Sequence, residues 1–335
     1  MTTLSTGTSV FWRYDSATRG AHYILGLHGI RALYTFGPGD ETPEGETVAT
    51  RKFLVFNVME SSSDLTKWEM IDVDLRDGRW RVIGRPATGI HTDLLARVPT
   101  AGDGDAAFSQ ALPDLSLETH VVNLSDGRSR LVPYRDVAFP VIADHRLLID
   151  ENPSGDWQHG AGIYLAALNL HTLKREPLPG LLRWVDNPRD LVVAHGGAAW
   201  LSDGFRAVHA VSTTRPGVVW TASGTQNHGH GDVDRPQLSD NGFAAWYQNG
   251  GGPGSAVLAD THTGVAVSVG NDIYIVGDTV VVERIHGSTF HGSITTSIFS
   301  AKDLPRLTGC TPTTVKQHLA PAKPAPPLQA IGSGT

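Results

Sequence analysis

One unit recurs along this chain, with successive turns forty to forty-nine residues apart. It is a short alternating run, a polar turn often containing Asp, Thr or Gly, and a second short run. It reads IDVDLRDGRWRVI at 71–83, HVVNLSDGRSRLV at 120–132, YLAALNLHTLKREPL at 164–178 and VHAVSTTRPGVVWTA at 208–222. VLADTHTGVAVSV at 257–269 and SIFSAKDLPRLTG at 297–309 complete the series, and VFWRYDSATRGAHYIL at 10–25 reads as one more copy. Alternation with period two, β-branched and aromatic enrichment, and Gly or Asp at the turn make each copy a β-hairpin.

A second hairpin type falls between the copies. VIADHRLLID at 141–150, VVAHGGAAWLSD at 192–203, PQLSDNGFAAWYQ at 236–248 and IYIVGDTVVVER at 273–284 share a polar turn followed by an apolar strand. Two hairpins per repeat make four antiparallel strands, and a sheet repeated every ~40–50 residues is the pattern of a β-propeller blade. The expected fold is all-β: a propeller of seven four-stranded antiparallel blades, or six if the N-terminal hairpin instead pairs with the last one. Residues 1–310 form the propeller. The segment 29–70 is irregular, with an exposed acidic insertion at 37–46 (GPGDETPEGE). Residues 311–335, rich in Pro, Ala and Thr, bury too little to offset their ordering entropy and are expected to be a disordered tail.

Charge and cysteine content narrow the function. A formal net charge of −7 gives no basic field, which argues against nucleic acid as a partner. No apolar run approaches the ~18 residues of a membrane helix, so no membrane span is expected. The N-terminal MTTLSTGTSVFWRYD lacks a basic region followed by an apolar one, which places the chain as written in the cytoplasm; a secreted mature chain would read the same. The single cysteine, Cys310, excludes an intramolecular disulfide and a multi-cysteine zinc site. A monomer is expected.

Seven of the fifteen histidines precede a glycine, among them His159, His195, His228, His230, His286 and His291. The repeat sorts them. His228 and His230 fall between the fourth strand of one blade and the first of the next. His159, His286 and His291 fall in connections between second and third strands, the same rim. His195 and His262, in hairpin turns, fall on the opposite rim. Gln226, His228, His230, Asp232 and Asp234 alternate, so an extended segment would project them to one side. Imidazole and carboxylate suit Mn, Zn or Fe, which gives a candidate divalent-metal site of His228, His230 and Asp232. Gln226, Trp157, His159, His286 and His291 are candidate contacts on that rim, with Trp157 read as an exposed stacking aromatic in a loop.

PQLSDNGFAAWYQ resembles the TolB-like propeller repeat, with its proline, apolar residue, Ser, Asp-led turn and apolar strand. DTHTG at 260–264 resembles the Asp-x-x-Thr-Gly turn of bacterial quinoprotein-like propellers. The likeness is clearest over 190–270. Gln226, His228 and His230 are similar in kind to the metal-holding Gln and His residues of oligogalacturonate lyases, which would imply a metal over the channel. Two functions follow as expectations. One is a binding module that recognises a protein or glycan through its loop-rich rim. The alternative is a metal-assisted lyase or hydrolase acting on a carbohydrate or similar polar substrate.

Overall fold

The computed structural model describes residues 2–3, 9–15, 20–26, 31–35, 47–50, 52–59, 66–89, 99–155, 157, 162–185, 188–202, 207–223, 233–248, 256–286, 293–308 and 315–318; before residue 47 and in 315–318 this is backbone alone, Tyr34 excepted. In chain order the strands are β1 (Thr2–Thr3), β2 (Ser9–Asp15), β3 (Gly20–Gly26), β4 (Arg31–Thr35), β5 (Thr47–Ala49), β6 (Phe53–Met59), β7 (Trp68–Asp74) and β8 (Trp80–Gly84). Then come β9 (Thr100–Gly102), β10 (Asp105–Ala111), β11 (Leu117–Asn123), β12 (Ser129–Leu131), β13 (Val137–Ala143), β14 (Arg146–Glu151), β15 (Tyr164–Asn169) and β16 (Arg175–Glu176). The remainder are β17 (Arg189–Ala194), β18 (Gly197–Ser202), β19 (Ala207–Ser212), β20 (Val219–Ser223), β21 (Val233–Leu238), β22 (Phe243–Gln248), β23 (Ala256–Asp260), β24 (Val265–Gly270), β25 (Asp272–Val276), β26 (Thr279–His286), β27 (Ser293–Ser300) and β28 (Val315–His318).

These strands form seven sheets with sequential neighbours: β1–β4, β5–β8, β9–β12, β13–β16, β17–β20, β21–β24 and the three-stranded β25–β27. Every described pairing is antiparallel. The sheets are β-propeller blades. Two compact units hold them: residues 1–157, 166–176 and 326–335 in one, residues 158–165 and 177–325 in the other. Among the described residues no helix is long and apolar enough to cross a membrane.

Within each unit, neighbouring blades pack face to face, so second strands are apolar on both sides. In β6 (FLVFNVM), Leu54, Phe56 and Val58 join a cluster with Ile71, Val73 and Tyr34. Phe53, Val55 and Met59 turn the other way, onto Phe108, Val122 and Leu124 of the next sheet. β22 (FAAWYQ) divides likewise: Ala244 and Trp246 face β17–β20, and Phe243, Ala245 and Tyr247 face β25–β27. Each buried large side chain contributes about 1.5–3 kcal/mol. This two-sided burial erases the alternation that marks a half-exposed strand, which is why the sequence reads 29–70 as irregular although β5 and β6 lie there.

The turn between third and fourth strands is built the same way in most blades. Its first residue caps the turn: Asp74, Asn123, Asn169 and Asp260 accept through Oδ1 from the backbone N–H two residues on, at 2.9–3.1 Å. The backbone N–H at the fifth position then donates to the first carbonyl, from Gly78, Gly127, Leu173 and Gly264, at 2.7–2.8 Å. That fifth residue is left-handed, with φ of 74°, 77°, 54° and 75°. Glycine is natural there; Leu173 is the exception and is buried in the core between two blades. At Gly264 a Cβ would also lie 2.2 Å from the Trp220 ring.

The fourth strand ties each turn to its neighbour. Arg81 donates to Leu124 O at 2.6 Å, Arg130 to Leu170 O at 3.0 Å, and Trp220 Nε1 to Thr261 O at 2.8 Å. Each acceptor is the residue just after the capping Asx of the next blade. The sequence marks the donor as the second Arg of RWR and RSR, seven residues after Asp74 and Asn123.

Two hairpin readings change. The stretch 10–25 is the middle pair of its sheet, β2 with β3, and not a third–fourth pair. The copy at 297–309 supplies β27 but no fourth strand, because residues 301–308 leave the sheet. Arg306 Nη1 reaches Asp260 Oδ1 at 3.1 Å, and Leu307 N–H donates to Asp260 Oδ2 at 3.1 Å. Val315–His318, within the segment read as a tail, pairs with β20 as a fifth strand, Val219 opposite His318 and Ala222 opposite Val315.

Candidate functional site

Most of the sequence-derived site lies outside the described residues: Gln226, His228, His230 and Asp232 in the β20–β21 connection, His159 between β14 and β15, and His291 between β26 and β27. His286 ends β26, opposite Ser293, and is exposed. Trp157 corrects its expectation. It is 6% exposed and packs edge-on against Phe139 with ring centroids 5.8 Å apart. A large aromatic flanked by polar residues in sequence still goes to the core when a neighbouring strand offers it a ring. Among the described residues no group of three or more His, Cys, Asp or Glu could hold a metal ion.

The end of the first unit's blades from which the β14–β15 connection leaves carries an unusual carboxyl group. Glu151, opposite Val137, is 2% exposed, and its Oε2 accepts no hydrogen bond among the described residues. Burial pushes its pKa up to about 7, against the opposing pull of Arg175. Asp136, next to Val137, is also raised by burial, and its carboxylate lies beside Gly155. The first strands of three sheets are bent. β13, β17 and β21 each carry a bulge, between Ala138 and Val141, Arg189 and Val192, and Asp234 and Gln237. Phe139 (φ 50°) and Asp190 (φ 47°) occupy the left-handed position in two of them. Bulges and left-handed non-glycine residues favour rims and binding sites.

The opposite end carries the hairpin turns, and there the side chains interlock. Asp103 accepts from His145 N–H at 2.9 Å with Nδ1 3.2 Å away; Asp240 stands in the same relation to His195, at 3.2 Å on both counts. His262 Nδ1 lies 2.8 Å from Arg306 Nη1. His195 and His262 thus serve as braces between turns.

In the first unit this turn end also opens a cleft of about 440 Å³, lined by Asp105, Asn123, Asp126, Arg128, Ser129, Arg130 and His171. Asp105 begins β10 opposite Asn123 and is 3% exposed. Its Oδ1 has no hydrogen-bond donor among the described residues, although Arg130 Nη2 stands 3.8 Å away. Burial raises the Asp105 pKa, while Arg130, His171 and a hydrogen bond from Asn123 oppose the rise. Arg130 is held in place by His171 O at 2.6 Å and Leu170 O. Two carboxylates and two guanidiniums balance, so the cleft carries no strong field of either sign. It offers hydroxyl, imidazole, amide and guanidinium groups around one buried acceptor. Sequence reasoning passed over it because Asp105 sits in TAGDGDAAFSQA, an inner hairpin of small and polar residues with one large apolar side chain, Phe108. The readable signal was the RSR of the outer strand.

No family model matches the chain, and no curated protein matches it. Solved structures match in fold. Oligogalacturonate lyase from Vibrio parahaemolyticus is 11% identical, with 88% of this chain and 87% of that one covered at a TM-score of 0.50. Puromycin hydrolase is 13% identical, with 82% and 48% covered at 0.51. TolB from Acinetobacter baumannii is 12% identical, with 87% and 60% covered at 0.40. At such identities the likeness is one of fold: this chain is a β-propeller.

Proposed function

We propose that this propeller is a binding module for a glycan, and that the cleft around Asp105 holds it. This keeps the class expected from the sequence and moves the contact surface from the loop-rich rim to the end bearing the hairpin turns. The observation that carries the reading is the buried Asp105 Oδ1 that lacks a donor in an open cleft. Leaving such an acceptor unpaired costs about 1–3 kcal/mol, and because Oδ1 is itself closed off from solvent, a ligand hydroxyl would recover that cost by shifting the Arg130 guanidinium that stands 3.8 Å from it. The balanced charges disfavour an ion, whereas sugar hydroxyls donate to Asp105 and accept from Arg128 or His171. The volume falls within the range of small-ligand sites.

Calorimetric titration with cellobiose, maltose and lactose, with digalacturonate as the anionic comparison, tests this. A neutral sugar should bind saturably, and Asp105→Asn should weaken it tenfold or more. No saturable binding by any neutral probe up to ~10 mM, or affinity undiminished in D105N, overturns the reading.

A second reading is favoured by Glu151, whose pKa of about 7 suits general acid–base work. It belongs to a lyase or hydrolase acting on a carbohydrate, metal-assisted as the sequence led one to expect. His228, His230 and Asp232, with Gln226, His159 or His291, would hold Mn, Zn or Fe, and the metal would polarise the substrate or its attacking water. Elemental analysis of protein purified without a histidine tag should then show a stoichiometric metal. No metal, with a Tm unchanged by chelator or added divalent ions, overturns this alternative.

A further inference from the structure

We propose that Ser129, His120 and Glu118 form a serine-nucleophile site that hydrolyses esters of short-chain carboxylic acids. His120 Nε2 lies 2.9 Å from Glu118 Oε1, and His120 Nδ1 lies 3.4 Å from Ser129 Oγ. Such Ser–His pairs are often this long before substrate tightens them. With the ring proton on Nε2 and donated to Glu118, Nδ1 turns its lone pair to the Ser129 hydroxyl. Nucleophile, base and orienting carboxylate then stand in the order acyl transfer needs. Gln110 Nε2, 3.1 Å from His120 Nε2, gives its N–H to the Glu118 carboxylate, the stronger acceptor. Phe108 stacks on the imidazole with centroids 5.5 Å apart and planes 14° apart, which fixes the ring.

The register of the blade builds this site. Glu118, His120 and Val122 share one face of β11, and Ser129 and Leu131, opposite Val122 and His120, share it from β12. Asp105 and Arg130 leave the other face, so the hydroxyl turns away from Asp105 although Ser129 borders that cleft. The proposal does not rest on the glycan reading. Asn123 N–H donates to Arg128 O and Val132 N–H to Thr119 O, each at 2.9 Å, so these pairs carry the ladder bonds. Ser129 falls between them, and its own N–H points to the outer edge of β12, which pairs with no further strand among the described residues. An edge N–H on the nucleophile itself can donate to a carbonyl oxygen as it becomes an oxyanion. Ser129 is exposed, and Leu131, 42% exposed on the same face, gives an acyl chain an apolar neighbour.

In the reaction Ser129 Oγ bonds to the ester carbonyl carbon, and its proton passes to His120 Nδ1. The bond from that carbon to the alcohol oxygen breaks, and His120 returns the proton to the departing oxygen. Water then attacks the acyl-serine in the same way, releasing the carboxylic acid and restoring the hydroxyl.

Hydrolysis of p-nitrophenyl butyrate at ~0.1–1 mM by the full chain tests this. The rate should saturate with substrate, and Ser129→Ala should lower it about tenfold or more at an unchanged Tm. A fluorophosphonate probe should attach to Ser129, located by peptide mass mapping, and His120→Gln should abolish attachment. Glu118 is a positioning residue: Glu118→Ala should lower kcat with KM kept, and Glu118→Gln, which retains an acceptor for Nε2–H, should restore part of the rate. Because Ser129 is exposed, S129A keeps the fold and covers an H120Q chain that does not. No saturable hydrolysis, an S129A rate equal to wild type, or no adduct on Ser129 overturns the proposal. None of these outcomes bears on the glycan cleft, which D105N tests separately.

Discussion

Arg306→Ala should destabilise the second unit by about 3 kcal/mol, the cost of stripping a buried carboxylate of its cation. Asp260 is fully buried, and its two oxygens take Arg306, His262 N–H and Leu307 N–H. Arg306 also donates to Asn241 O and Oδ1 and lies over the Phe243 ring, 5.2 Å from its centroid. One guanidinium thus fastens residues 301–308 to two turns of the neighbouring blade. Urea or thermal melting should show the loss. Lysine, which lacks the fork, should restore only part of it. Adding Asp260→Asn to R306A should cost less than the two changes separately, because the unpaired charge is then gone. A loss under about 0.5 kcal/mol would mean that the pair behaves as an ordinary surface bridge.

Glu151→Gln should stabilise the protein at pH 8 and leave it unchanged near pH 4. The glutamate pKa is raised by burial from 4.5 to about 7 in the folded chain. The unfolded chain therefore releases the proton first, and folding stability falls as pH rises from about 4.5 to about 7. At about 1.4 kcal/mol per tenfold change in proton affinity, the full loss is about 3 kcal/mol. Glutamine keeps the shape of the protonated acid and never ionises. Stability curves of wild type and E151Q from pH 4 to 8 should diverge across that window. Parallel curves would show that Glu151 sits in a wetter site than its burial implies.

The hairpins were legible because their turns are chemical. Asp, Asn and Gly at fixed offsets fix the 74–78, 123–127 and 260–264 turns whatever packs around them. β6 and β10 were harder to read, since strands buried on both faces carry no alternation. The site was least legible. Trp157 looks like a loop aromatic until Phe139 is placed beside it. Asp105 looks like a turn residue until Arg130 reaches across to the next blade and leaves one carboxylate oxygen without a donor. Both depend on contacts that no local spacing encodes.

Hydrogen exchange of the chain, with and without the tightest-binding neutral disaccharide, tests the central claim most directly. New protection is expected at 123–130 and 170–173, the turns that frame the Asp105 cleft, and it should vanish in D105N. Protection confined to 151–163, or none at saturating sugar, would contradict a glycan site at the turn end.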